Sequence, residues 1–121
     1  MSGFQIGTIA AAGDVRILPV SGDFDLASVP EVESALALLE SEGPPILALD
    51  LRDLELIDSS ALRTILNAVS RAQAERRRFV VVAPPTGPVG RLLELTLVGD
   101  HIEVVADPSA LESPPPAAPP R

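Results

Sequence analysis

Asp58, Ser59 and Ser60 set a carboxylate beside two hydroxyls, directly ahead of Leu62, Ile65, Leu66 and Val69, which recur at helical spacing. The short apolar run from Ile46 to Leu49 predicts a buried strand upstream, so the triplet falls where a loop turns into a helix. Backbone N–H groups are unpaired at such an end, and the helix dipole there favours negative charge. A serine so placed can carry a phosphate at small local cost. It can equally be an N-cap, for which Ser and Asp are favoured types. Both readings of Ser59 stand on these residues alone. Ser60 reads as a small first-turn residue. Asp58 reads as a cap, as an orienter of the neighbouring hydroxyl, or as a contact for a partner. Asp23 and Asp25, in the segment Gly22-Asp23-Phe24-Asp25, follow an earlier strand and are expected to approach Ser59 from the same end of a sheet.

Three carboxylates around a hydroxyl suggest a magnesium-dependent phospho-acceptor aspartate of the response-regulator kind. That chemistry needs a lysine to hold the phosphoryl group and an acceptor Asp that ends a strand. All nine basic residues are arginine, and Asp58 opens a helix. The absence of lysine also removes a Walker-type phosphate loop and Schiff-base chemistry. No cysteine is present for a thiolate nucleophile or a zinc ribbon, and the single histidine, His101, falls at a helix-to-strand junction. The residues thus point away from an enzyme, with no cofactor and no metal expected. A formal charge of −8 argues against nucleic acid and anionic membrane surfaces as partners. No apolar stretch approaches the roughly 20 residues of a membrane span, and MSGFQIG lacks a basic, then apolar, leader pattern. A cytoplasmic protein without direct membrane insertion is expected.

The elements that position these residues read as follows. Residues 4–10 and 14–20 predict two strands around Ala12-Gly13-Asp14, and Gly22 introduces a loop. Ser28-Val29-Pro30-Glu31 has capping-box spacing with Pro in the first turn, so a helix begins there and stops at Gly43-Pro44-Pro45. A strand at 46–50 precedes the helix from Ser59 to about Arg76-Arg77-Arg78. Phe79 to Ala83 form another buried strand, Val89, Leu92, Leu93 and Leu97 a third helix, and Ile102 to Val105 an edge strand. From Pro108 the chain is Pro- and Ala-rich, which predicts a domain over 1–107 and a disordered tail over 108–121, with a short turn allowed at 108–112. The order β-β-α-β-α-β-α-β implies a single α/β domain with a mainly parallel mixed sheet, crossover helices, and one thinly covered face. With three Phe and no Trp or Tyr, aliphatic residues must fill its core.

Three blocks of this sequence resemble a STAS domain of the anti-sigma factor antagonist family. Val20-Ser21-Gly22-Asp23-Phe24-Asp25-Leu26-Ala27-Ser28 resembles the family's Gly-Glu-Leu-Asp segment before the first helix. Leu49-Asp50-Leu51 through Ile57-Asp58-Ser59-Ser60-Ala61-Leu62 resembles its Asp-Ser-Ser-Gly-Leu signature. The run from Leu92-Leu93-Glu94-Leu95-Thr96 is similar to the third helix and its exit. The resemblance covers residues from about 4 to 107.

The resemblance implies an interaction module. Its members bind an anti-sigma factor that is also an ATP-dependent serine kinase, and so release a sigma factor. The kinase modifies the hydroxyl residue after the signature Asp, which falls on Ser59, and a PP2C-type phosphatase reverses this. Asp23, Asp25, Asp58, Ser60, Ala61 and Arg63 are the implied partner-binding positions. Arg63 lies four residues beyond Ser59, on the same helix face. Asp23 stands where the family has Glu, a shorter reach to any partner, and Ala61 stands where the signature has Gly, whose lack of a side chain would permit close approach of a partner backbone. The alternative is a STAS scaffold or adaptor subunit of a lipid-transport or stress-sensing assembly, binding regardless of Ser59. The group Arg71, Arg76, Arg77 and Arg78 reads as helix C-terminal cations or as an anion site.

Overall fold

A computed structural model of the chain describes residues 3–96 and 99–112. Its elements are β1 (Gln5–Ile6), β2 (Ala10–Ala12), β3 (Val15–Phe24), α1 (Val29–Ser41), β4 (Ile46–Ile57), α2 (Ser59–Ala74), β5 (Arg78–Val82), α3 (Pro88–Thr96) and β6 (Glu103–Val105). Short 3-10 turns lie at Gly99–His101 and Pro108–Glu112. The sheet runs β1-β3-β4-β5-β6, with β2 also paired to β3. β1 and β2 lie antiparallel to β3, while β3, β4, β5 and β6 are mutually parallel neighbours. This is the mixed, mainly parallel sheet that the alternation of strands and helices implies.

Local details depart from expectation where long-range pairing overrides local chemistry. The first strand is two short pieces rather than one run over 4–10, and Gly7 N–H still reaches the Pro19 carbonyl at 2.9 Å. β3 continues through the expected loop at Gly22-Asp23, because β4 supplies parallel partners as far as Phe24↔Ile57. Register shifts after Pro19 and after Gly22 absorb the irregularity. Gly22 is required there: at φ +82° a Cβ would sit 1.6 Å from the Gly3 carbonyl oxygen. β4 likewise runs on to Ile57, with Leu51 and Leu54 inward and Arg52, Asp53 and Glu55 outward. The capping box at Ser28 does not form. Ser28 is helical in backbone and makes no side-chain cap; its Oγ turns back, accepting from Asp25 N–H at 3.0 Å and reaching the Asp25 carbonyl at 3.1 Å.

The two faces of the sheet are unequal. On one, Leu18, Val20, Phe24, Leu47, Leu49, Leu51 and Val81 form a continuous core with Val32 and Leu36 of α1, Leu62 and Ile65 of α2, and Val89 of α3. Each such apolar side chain contributes roughly 1.5–3 kcal/mol by leaving water. On the other face, Val15, Ala48, Val80 and Val82 cluster with Leu111. Leu111 comes from the turn Pro108–Glu112, whose start is held by Asp107 Oδ1 accepting from Ser109 N–H at 2.9 Å. The remainder of the expected tail, 113–121, lies outside the described residues. No helix among the described residues is long and apolar enough to cross a membrane.

Candidate functional site

The carboxyl ends of β3 and β4 meet where α1 and α2 begin, the position at which open parallel sheets present ligands and partners. Asp58 organises this end. Its backbone is extended, at φ −115° and ψ −178°, and Oδ1 accepts from Ala61 N–H at 3.0 Å, so Asp58 is the N-cap of α2. Oδ2 accepts from Leu26 N–H at 3.3 Å, and Asp58 N–H donates to the Phe24 carbonyl at 3.3 Å. One residue thus ties β3, the turn before α1 and the first turn of α2 together. Its carboxylate is used on the fold.

Because Asp58 caps, Ser59 does not. Ser59 is the first residue of α2 and is exposed, and its hydroxyl makes no hydrogen bond to the described residues. Ser60 is half-buried, and its carbonyl accepts from Thr64 Oγ1 at 3.1 Å. Ala61 is fully buried, with its methyl in the main core and its N–H on Asp58. A side chain there meets the interior rather than a partner, and α-helical backbone at that point does not call for glycine.

A groove between α1 and α2 opens beside Ser59, with a volume of about 280 Å³. Ser59, Ser60, Arg63 and Asn67 line it from α2, and Leu26, Val29 and Glu33 from the α1 side. Leu26 is 70% exposed, although Asp58 fixes its backbone. Asp23 and Asp25 do not line this groove. They border a separate hollow of about 330 Å³ with Phe4, Ala27, Ser28 and Glu31. Asp25 Oδ1 is turned inward to its own loop, accepting from Ala27 N–H at 3.1 Å. Asp23 and Asp25 thus border a different hollow from Ser59, with the turn at Asp25–Ser28 between the two. No group of three His, Cys, Asp or Glu among the described residues is placed to hold a metal ion.

Sequence reasoning missed Leu26 as an exposed apolar side chain and Glu33 and Asn67 as groove walls. The spacing Ser59–Arg63–Asn67 marks one helix face and could have flagged Asn67; Glu33 depends on how α1 crosses α2. Of the arginines at the other end of α2, Arg71, Arg77 and Arg78 are occupied, and Arg76 is exposed. Arg71 Nε donates to Glu40 at 2.9 Å, Arg77 Nε to the Pro44 carbonyl at 2.9 Å, and Arg78 Nε to Glu103 at 2.9 Å. Arg78 is bidentate on Glu103, and that hydrogen bonding holds its pKa above the ordinary arginine value. An anion site there would have to break these bonds.

The fold and this end of it define a small α/β module that displays one unencumbered serine at a capped helix mouth, beside a shallow groove. A family model for the STAS domain matches residues 8–109, and the chain belongs to the STAS domain family. The anti-sigma-F factor antagonist RsfB of Mycobacterium tuberculosis is 32% identical over 76 residues, 63% of this chain and 62% of RsfB, so the match spans less than two thirds of that relative's length. A crystal structure of an anti-sigma factor antagonist from Mycobacterium paratuberculosis superposes with a TM-score of 0.80 at 24% identity, covering 92% of this chain and 93% of that one. The unphosphorylated form of the anti-sigma factor antagonist SpoIIAA of Bacillus has a TM-score of 0.70 at 15% identity over 91% of this chain and 94% of its own. Its phosphorylated form has a TM-score of 0.65 at 14% identity, over 91% and 97%. These structural likenesses establish a shared fold.

Proposed function

We propose that this chain is an anti-sigma factor antagonist that works by partner switching. Unphosphorylated, it binds an anti-sigma factor that is also an ATP-dependent serine kinase, and so frees a sigma factor. Phosphorylation of Ser59 ends the association, and a PP2C-type phosphatase restores it. The observation that carries this reading is the state of Ser59: exposed, first in its helix, and without a structural hydrogen bond to lose. Asp58 has taken over the cap, so a modified Ser59 leaves the helix start intact.

A phosphoserine adds about −1.5 to −2 charges and three acceptor oxygens. On the free protein these face water. In a docked interface the same dianion is desolvated close to Asp58, and juxtaposed like charges there cost several kcal/mol, with each ~1.4 kcal/mol a factor of ten in affinity. The modification therefore leaves the fold standing and removes the partner. Leu26 and the groove it borders supply the apolar part of the docking face, with Ser60 and Arg63 beside them. Asp23 and Asp25 offer acidic contacts across the turn.

The test is to incubate the chain with candidate anti-sigma kinases, ATP and magnesium, and to map the modification by mass spectrometry. Phosphate on Ser59, with Ser59→Asp binding the kinase roughly 100-fold more weakly, is the expected result. Phosphate elsewhere, or undiminished binding by Ser59→Asp, would overturn it in favour of a scaffold that binds regardless of Ser59.

A further inference from the structure

Resting on the reading of Ser59 as the modified residue, we propose that Arg63 is an in-chain receptor for its phosphate, so that phosphorylation withdraws a cation from the docking groove as well as adding an anion. Ser59, Arg63 and Asn67 follow one another at one-turn intervals along α2, and all three line the groove toward α1. Arginine's planar fork matches a phosphoryl group bidentately, which a lysine at that spacing would not do.

Among the described residues Arg63, Arg76 and Arg91 are the arginines whose side chains have no partner, and of these only Arg63 lines the groove beside Ser59. Arg52, Arg71, Arg77 and Arg78 each pair with a carboxylate, and Arg16 donates to the carbonyls of Gly13 and Val15. Among the described residues, Arg63 has no hydrogen bond or ion pair, and it is the guanidinium of the groove. The nearby acids are committed elsewhere. Glu33, across the groove on α1, lies 3.7 Å from Arg71. Asp58 spends one oxygen on Ala61 N–H and the other on Leu26 N–H, and Asp25 accepts from Ala27 N–H. A phosphate on Ser59 is then the strongest acceptor within reach of Arg63.

The groups that face such a phosphate act in opposite directions. Asp58 beside it and Glu33 opposite it hold on to its second proton, while Arg63 favours the dianion. The start of α2 also favours the dianion and is unchanged by substitution at Arg63, so removing the Arg63 cation shifts the balance toward the acids and moves the second ionisation to higher pH.

The experiment installs phosphoserine at position 59 during translation, by genetic-code expansion, in the full chain and in its Arg63→Gln and Arg63→Lys variants. The second ionisation is then followed by phosphorus NMR. At low salt the midpoint proton concentration should be at least twofold higher in the parent than in Arg63→Gln, with Arg63→Lys between the two. The gap should shrink in about 1 M salt, where the Debye length falls to roughly 3 Å. Equal midpoints for the parent and Arg63→Gln at low salt would overturn the proposal. Arg63 is exposed, and matched melting curves verify that the variants fold. Because the phosphate is introduced without a kinase, failure here leaves the kinase assignment untouched. Conversely, a kinase that ignores Ser59 would leave this measurement standing.

Discussion

At its C-terminal end α2 is laced to its surroundings by arginine: Arg71 reaches Glu40 and Glu33 on α1, and just beyond the helix Arg77 reaches the carbonyls of Pro44 and Glu40. At its N-terminal end Arg63 lies in an open groove with no ion pair, beside a serine whose hydroxyl is likewise unengaged. The same residue type does opposite things at the two ends of one helix. Where the guanidinium is satisfied by fixed partners it joins elements far apart in sequence. Where it is exposed and unsatisfied it is available to something that arrives later. The contrast separates the end that holds the module together from the end that can change state without unfolding it.

The sharpest way to break that contrast is to remove a cation from the structural end. The Arg77 side chain is only 7% exposed, donates to the Pro44 and Glu40 carbonyls at 2.9 and 3.3 Å, and lies 4.0 Å from the Glu40 carboxylate. Arg77→Ala strands two carbonyls and leaves a space where the guanidinium packed. Equilibrium urea unfolding should show a loss of ~2–3 kcal/mol. Arg63→Ala, at the open end, should change stability by less than ~0.5 kcal/mol in the same assay. Comparable losses for the two would erase the distinction between the ends.

Asp58 comes next, because it is the one residue of the open end that ties separate elements together. Asp58→Ala removes the cap on Ala61 N–H and the tie to Leu26 N–H together, for a loss of ~1–2 kcal/mol. Asp58→Asn keeps an acceptor for the cap and should recover most of it. Amide exchange at Leu26 should quicken in Asp58→Ala and stay slow at Leu49, which lies in the core. Unchanged exchange at Leu26 would mean that Asp58 does not hold the turn.

Much of this was legible in the sequence, and the limits are physical. The element order, the stop at Gly43-Pro44-Pro45, and the placement of Ser59 at a helix start follow from periodicity and turn chemistry, which are local. The cap at Ser59 was ambiguous with Asp58, because both residues favour that position and only the extended backbone of Asp58 decides between them. Gly22-Asp23 reads as a loop by its residue types, yet nine residue pairs with β4 carry the strand through it. The separation of Asp23 and Asp25 from Ser59 depends on where the turn Asp25–Ser28 folds back. The pairing of Arg71 with Glu40 joins residues 31 apart, a contact that no short-range pattern encodes.

The smallest expected effect tests how the structural end is finished. α1 closes with Gly43 in left-handed backbone at φ +70°, the residue type with no steric penalty there. α2 closes with Arg76 at φ +57°, a conformation that costs a Cβ-bearing residue about 1 kcal/mol. Unlike Arg71, Arg77 and Arg78, Arg76 is exposed and forms no ion pair among the described residues. Its side chain therefore offers nothing to offset the strain. Arg76→Gly should relieve that strain, less the entropy that glycine adds to the unfolded chain, for a net gain of ~0.5 kcal/mol in urea unfolding. A loss instead would show that the Arg76 side chain stabilises this end through a contact made in solution, and that the arginine lacing includes Arg76 along with its ion-paired neighbours.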